Sequence, residues 1–478
     1  MSRLGLKRVA LAGFAGGVAL VIWACGSKSG DDGSSSSSSS SGSSSSSGFG
    51  GDPDAACTGA GCPSACNTRL RGSVFDPKGT TPLYNVVVYV PTAAPAPLED
   101  NAQCQRCARP QNVSAITITN AAGEFVLDNV PPGANVPLVM EVGKWRRQIT
   151  VANVAPCVET NVDASLSRLP RNQSEGHIPK IAITTGGIDP LECLLRKIGI
   201  DDSEFTPSTG AGRVHLFHGG GWTETGVAFH DASSSIAARG TVPAAALTEA
   251  PALWNDVARM KAYDVMLLAC EGEENVSAKP TPDNLYAYAS AGGRVFASHW
   301  HEVWFRTGPT ATRAIGTWRG FADAPANPPD PSDGTVDVSF PKGQALHDWL
   351  QKVGALNTAE RLPIYDPRQN LDTVDNSKAT SWIRVANTNA SNANIAQYIT
   401  FNAPIGAADD QLCGRVVYSD LHVSSAREVG TGLRDQAGRA FPVGCVTSAM
   451  SPQERALEFM LFDLSSCVLK DNVPPSVK

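Results

Sequence analysis

Three segments in the second half of the chain are apolar without alternation: Val265-Met266-Leu267-Leu268-Ala269, Arg294-Val295-Phe296-Ala297-Ser298 and Gly414-Arg415-Val416-Val417-Tyr418. An alternating strand has one dry face. A strand of this kind is dry on both, which places it inside a parallel sheet covered by helices. The intervening sequence supplies such helices. Pro282-Asp283-Asn284 opens one over Leu285 to Ala291, and Gly292-Gly293 stops it. Upstream, Lys180-Ile181-Ala182-Ile183-Thr184 reads as a buried strand. Asp189 then caps a helix that has Pro190 in its first turn, Glu192 reaching back and Leu191, Leu194, Leu195 and Ile198 on one face. Ser451-Pro452-Gln453-Glu454 forms the capping box of a last helix that buries Ala456, Leu457, Met460, Leu461 and Leu464. Alternating strands and helices over residues 180–470 imply a doubly wound α/β domain.

Open parallel sheets bind ligands beyond the carboxyl ends of their strands. Cys270, Glu271 and Gly272 follow one strand; Ser298, His299, His301 and Glu302 end the next; His422 follows the third. These residues are expected to line one crevice. Cys270 is either a reactive thiol or a disulfide partner. His299 and His301 share a face if the strand extends through them, and with Glu302 or His422 they would bind a divalent metal. The alternative is hydrogen-bonded pocket histidines packed by Trp300, Trp304 and Trp222. His215 and His218 are further candidates. Aromatic rings beside polar groups also suit a carbohydrate or another small polar ligand.

The first half has a different period. Leu70 to Phe75 alternates up to the Asp76-Pro77-Lys78-Gly79 turn, and Val86 to Val90 is a β-branched run stopped by Pro91. Ile116 to Thr119 and Glu124 to Leu127 flank Asn120-Ala121-Ala122-Gly123 as a hairpin. Short strands with regular turns make an all-β sandwich over residues 57–167, joined by a polar linker at 168–179 to the α/β domain. Two separately cored bodies are expected. Cys57, Cys62, Cys66, Cys104, Cys107 and Cys157 lie within or beside the sandwich, where three bridges would staple it, although their spacing also leaves a loose zinc site open.

The amino terminus decides between these. Arg3, Lys7 and Arg8 precede an uncharged apolar run, Val9 to Ala24, too short for a comfortable membrane span. Ile22-Trp23-Ala24-Cys25 resembles a bacterial lipobox. The resemblance implies cleavage after residue 24, lipid on Cys25 and a cell-envelope address, in the outer membrane or facing the periplasm. The membrane is then a partner through that anchor, and the twelve cysteines would meet an oxidising compartment that favours disulfides. Residues 25–56 include the tract Ser34 to Ser47, broken only by Gly42, a Ser/Gly coil reaching about 30 Å on average. Cleavage takes the net charge from −7 to −10, and no basic run occurs, so nucleic acid is not an expected partner.

Two family resemblances follow. Gly72-Ser73-Val74-Phe75-Asp76, Thr119 with Gly123-Glu124-Phe125, and Val130-Pro131-Pro132-Gly133 resemble the carboxypeptidase regulatory-like domain, a transthyretin-like sandwich near the carbohydrate-binding-like folds. That implies an accessory module and no peptidase. The order Tyr263-Asp264-Val265, Gly292-Gly293-Arg294-Val295-Phe296 to His299, and Gly414 to His422 resembles the flavodoxin-like, class I glutamine amidotransferase-like fold in its ThuA-like (trehalose-utilisation) branch. There Gln344-Ala345-Leu346-His347 takes the place of a His-Pro loop without its proline. In amidotransferases the nucleophilic Cys follows the strand that here ends at Ser298-His299, so the resemblance implies the fold without glutamine hydrolysis. The expected function is a binding or accessory envelope lipoprotein. A hydrolase or sugar-modifying enzyme using His299, His301 and His422, and a structural surface protein, are the alternatives.

Overall fold

The computed structural model describes residues 66–186, 188–223, 226–228, 247–390, 393–423, 445 and 449–477, with the side chains of 221–228 left out. Cys25, the serine tract, Cys57, Cys62 and the Trp222 side chain lie outside the described residues. The fold is mixed α/β and rich in strands.

One large sheet organises the molecule. Its spatial order is Thr248–Glu249, Val214–His218, Ile181–Thr184, Val265–Leu268, Arg294–Ser298, Gly414–Ser419, Ala393–Ala403, Thr380–Asn387, Ser332–Val336 and Leu362–Ile364. The first six run parallel, and the chain reverses its direction of travel about Ile181–Thr184. From Ala393–Ala403 onward every pairing is antiparallel. Only the parallel half is legible in the sequence. The antiparallel half is reached through hairpin-like pairings, and its strands lack the unbroken apolar runs that mark the centre.

The central strands are dry on both faces, as their composition requires. Ile181, Ile183, Val265, Leu267, Phe296 and Val417 belong to one apolar cluster. Ala182, Met266, Leu268, Val295, Ala297, Val416 and Tyr418 belong to the other. The first face is covered by the helices Leu191–Lys197 and Pro452–Ser465, the second by Ala250–Trp254, Val257–Lys261 and Asp283–Ser290. Ser451 and Glu454 complete the expected capping box of the last helix. The first helix departs from expectation. It has no side-chain cap, because Asp189 instead accepts hydrogen bonds from Ser298 and from the backbone N–H of Val423.

The amino-terminal strands form a four-stranded sheet, in the order Val113–Ile118, Val87–Pro91, Gly133–Val142, Trp145–Val154, and a three-stranded one, in the order Glu124–Leu127, Arg69–Ser73, Glu159–Asn161. The expected hairpin is corrected. The Asn120–Gly123 turn forms, but Glu124–Leu127 pairs with Arg69–Ser73 and so carries the chain from one sheet to the other. Asn120 fixes that crossing by accepting the N–H groups of Ala122 and Glu124.

The expectation of two separate cores fails. Leu70, Val88, Phe125 and Trp145 from the sandwich share one apolar cluster with Leu194, Leu457 and Phe462 from the α/β body. Trp145 meets Phe462 edge-on at 5.7 Å, and Tyr84 stacks on Phe459 at 5.6 Å. At Gly143 (φ +55°) a Cβ would lie 1.8 Å from the carbonyl oxygen of Ser465, so only glycine permits the approach. Lys144 and Asp264 form a buried ion pair across the same contact at 2.5 Å. Residues 168–179, expected as a polar linker, are packed: Arg168 binds Glu175 through two hydrogen bonds of 2.6 and 2.7 Å, and Leu169 and Ile178 are buried.

Disulfides join Cys66–Cys157, Cys104–Cys413, Cys107–Cys467 and Cys193–Cys445. Three bridges internal to the sandwich are therefore not what forms. One is internal, and two tie the Cys104-to-Cys107 insertion to the α/β body. Four disulfides among the described residues mark a protein of an oxidising, non-cytoplasmic compartment. No helix among the described residues is long and apolar enough to cross a membrane.

Candidate functional site

Three neighbouring parallel strands end on the same edge, and each delivers one side chain to a common point. Val265–Leu268 leads into Cys270, Arg294–Ser298 into His299, and Gly414–Ser419 into His422. Cys270 Sγ is 3.4 Å from His299 Nδ1, and the same nitrogen is 3.1 Å from His422 Nε2. All three side chains are buried. His299 occupies the left-handed region at φ +40°, a conformation that costs about 1–3 kcal/mol for a side chain of this kind and recurs where a site is held rigidly. It directly follows the strand that ends at Ser298, and Cys270, the free thiol among the described residues, follows the neighbouring strand.

The surroundings hold these groups in place. Asp189 ties the Ser298 hydroxyl to the backbone of Val423, joining two strand ends. The Tyr418 hydroxyl lies 3.1 Å from the His299 carbonyl oxygen, and the Gln453 amide donates to that of His422 at 2.8 Å. His422 Nδ1 faces Asp366 Oδ2 at 3.0 Å. Asp366 also accepts from Arg368 at 2.6 Å. Both belong to the segment between Leu362–Ile364 and Leu371–Val374, which pairs with the strand end at Pro367 and Leu421. Asp366, Arg368 and Asn370 were not found in the sequence, because they lie some fifty residues before His422 in a segment of no regular period. The run Asp366-Pro367-Arg368-Gln369-Asn370 between apolar stretches was the available sign of a functional turn.

Burial dominates the titration of the cluster. It pushes the Cys270 thiol well above its ordinary value, with the Asp189 charge adding to it. It pushes His299 well below the ordinary histidine value, and the Arg368 guanidinium acts in the same direction. The thiol is therefore held protonated and the His299 ring neutral. Burial likewise raises Asp420, which accepts from the Asn370 backbone, to about 7.

The other anticipated residues diverge. The strand stops at Ser298, and His299–Glu302 is a turn of 3₁₀ helix, so His299 and His301 do not share a face. His301 Nε2 meets the carbonyl oxygen of Ala269 at 2.9 Å and accepts from the Trp304 indole at 3.1 Å, inside the core. Burial lowers it to about 4. The expected metal trio of His299, His301 and His422 is thus replaced by Cys270, His299 and His422, whose donor atoms all lie within 4.8 Å of one another. Glu271 is paired with Lys279 at 2.6 Å and Glu302 with Arg306 at 3.1 Å. Burial works to raise the Glu271 pKa, yet Lys279 and His301 hold it below its ordinary value. Glu302 is raised well above its ordinary value by burial and by Glu274. His215 hydrogen-bonds the Tyr263 hydroxyl, His218 faces Glu249, and His347 lies on the helix Pro341–Lys352.

A cleft of about 320 Å³ opens over the cluster. Cys270, Gly272, His299, His422, Arg368 and Asn370 line its floor and side, and Trp300 and Phe321 its aromatic wall. The two rings are 5.7 Å apart, and Phe321 is 66% exposed. No family model, curated protein or solved structure matches this chain.

Proposed function

We propose that the chain is an envelope protein, anchored through lipid on Cys25, that binds a small polar ligand in the cleft at the carboxyl ends of its parallel strands. One observation carries the reading: an aromatic wall, half-buried Trp300 with exposed Phe321, faces polar groups from Arg368, Asn370, His299 and His422 across a cleft of about 320 Å³. That volume is at the lower end for small-molecule sites. A ring with one apolar face and several hydroxyls, such as a carbohydrate or a sugar acid, matches the wall and the polar side together. The α/β body is read as ThuA-like and the sandwich as a regulatory-like module with an accessory role. The elbow holds His299 where an amidotransferase needs a thiol, so glutamine hydrolysis is not part of the proposal.

A hydrolase is the second reading. The chain of contacts from Asp366 through His422 and His299 to Cys270 favours it, since it has the order of an orienting acid, a base and a nucleophile. Burial of the thiol weighs against a thiolate nucleophile in this resting arrangement.

Thermal-shift titration with a panel of neutral sugars, amino sugars and sugar acids tests the binding reading. A true ligand at a hundred times its Kd raises stability by about 2.7 kcal/mol. Phe321→Ala and Arg368→Gln should each weaken that ligand at least tenfold while leaving the fold intact. A panel without any shift would overturn the proposal.

A further inference from the structure

The cluster itself asks for something that the ligand reading does not supply. Asp366 is an acceptor, so His422 donates from Nδ1 and presents a lone pair at Nε2. That lone pair faces His299 Nδ1 at 3.1 Å, and Cys270 Sγ faces the same His299 nitrogen at 3.4 Å. A ring nitrogen carries either one proton or one lone pair. With Nδ1 as donor, its one proton is shared between the His422 lone pair and the sulfur, and the thiol proton turns elsewhere; with Nδ1 as acceptor it serves the thiol and leaves two nitrogen lone pairs opposed. No single proton bonds all three groups at full strength.

A single cation does. Cys, His and His form a donor set suited to a borderline-soft divalent metal. For tetrahedral zinc, bonds of about 2.3 Å to sulfur and about 2.0–2.1 Å to nitrogen set the S···N and N···N edges at about 3.5 and 3.4 Å. The contacts of 3.4 and 3.1 Å are close to those edges, and the third separation falls within 4.8 Å. Asp366 behind His422 supplies the carboxylate that commonly orients a ligating imidazole. Three protein donors leave a fourth position, the arrangement of catalytic rather than structural zinc sites. The same three residues line the cleft, with Arg368 and Asn370 beside them.

We propose that Cys270, His299 and His422 form a mononuclear site for a divalent cation of the zinc class, with Asp366 positioning His422 and the fourth position open to the cleft. The proposal goes beyond the ligand reading and does not depend on it. A metal can bind whether or not the cleft holds a sugar, and a sugar can bind an apo site.

The test uses the untagged mature chain, stripped with chelator and loaded by dialysis against zinc or cobalt(II). Elemental analysis should find about one zinc per chain. The cobalt form should show the visible absorption of a tetrahedral ion together with thiolate-to-metal charge transfer. Cys270→Ser should lose the charge-transfer band and at least nine-tenths of the bound metal, and Asp366→Asn should weaken binding about 10–100-fold. His422→Gln provides a second ligand variant if Cys270→Ser fails to fold. His347→Ala, on the helix Pro341–Lys352 and outside the cleft, should keep its metal. Absence of stoichiometric metal in the wild-type chain, or unchanged metal and spectrum in a folded Cys270→Ser or His422→Gln protein, would overturn the site. Sugar-induced thermal shifts measured on apo and loaded protein separate failure of this proposal from failure of the ligand reading.

Discussion

The strands Arg294–Ser298 and Gly414–Ser419 carry guanidinium groups at one end and lead into imidazoles at the other. At the amino end, Arg294 donates to the carbonyls of Cys413 and Ser466. Arg415 pairs with Asp463 at 2.7 Å and Asp471 at 2.5 Å, and Lys342 reaches Asp463 at 2.9 Å, all of them buried. Charge there is compensated and closed off from water. At the carboxyl end, Cys270, His299 and His422 are buried, have the single Asp366 carboxylate against His422, and open onto a cleft. The same sheet is clamped at one end and left chemically unfinished at the other. If the proposed cleft binds as inferred, stability and binding are separated by the length of a strand, and loss of a side chain should have opposite signatures at the two ends.

The clamp gives the largest expected effect. Arg415→Met removes the one guanidinium shared by two buried carboxylates and should cost about 3–5 kcal/mol, because charges are left uncompensated away from water. Urea unfolding at pH 7 reads this directly. A loss below about 1 kcal/mol would show that the amino end is not the clamp.

Next come the disulfides that bind the sandwich insertion to that same end. Cys413 immediately precedes the Gly414–Ser419 strand and is bonded to Cys104; Cys467 follows the last helix and is bonded to Cys107. Replacing Cys104 and Cys413 together by Ala should cost about 2–4 kcal/mol. It should also speed proteolysis of the insertion around residue 104. Unchanged stability and cleavage would mean that apolar packing alone joins the two parts.

The two ends also differ in how far the sequence revealed them. The carboxyl-end residues Cys270, His299 and His422 were legible because unbroken apolar strands announce a parallel sheet, and parallel sheets fix where function sits. Their partner Asp366 was not, because the segment bearing it is positioned by pairing with Leu421 and not by any local period. His301 was misplaced for a related reason. Spacing of two puts side chains on one face only while the backbone stays extended, and here it turns at His299. The shared core was hidden because amphipathic patterns show which face is dry without showing what covers it. Trp145 could have been buried by its own sheet, but it is covered by Phe462.

A smaller effect comes from the last helix, where it meets the sandwich. Burial, with the nearby charge of Asp76, raises Glu458 to about 8. The folded state therefore holds this proton while the unfolded chain releases it above about 4.5. Its contribution is fully present below that value and is lost as pH rises toward 8. Glu458→Gln should flatten this decline and stabilise the protein at pH 8.5 by one to a few times the roughly 1.4 kcal/mol attached to a unit of pKa. Asp463 has the opposite sign. Burial opposes its ionisation, but Arg415 and Lys342 hold it below its ordinary value, so its share is lost as pH falls. Melting temperatures of wild type and Glu458→Gln from pH 5 to 9 separate the two. Parallel curves would place the alkaline decline elsewhere.

The smallest expected effect lies at the unfinished end, and it sharpens the comparison most. In metal-free protein Cys270→Ser exchanges one weak hydrogen-bonding group for another of similar size, so it should change stability by less than about 1 kcal/mol in either direction. Zinc at a hundred times its Kd should add about 2.7 kcal/mol to the wild-type chain and nothing measurable to the variant. A metal-free Cys270→Ser protein as damaged as Arg415→Met would identify the thiol as part of the scaffold. The two strand ends would then differ in charge and not in purpose, because a group held for binding is one the empty fold can lose.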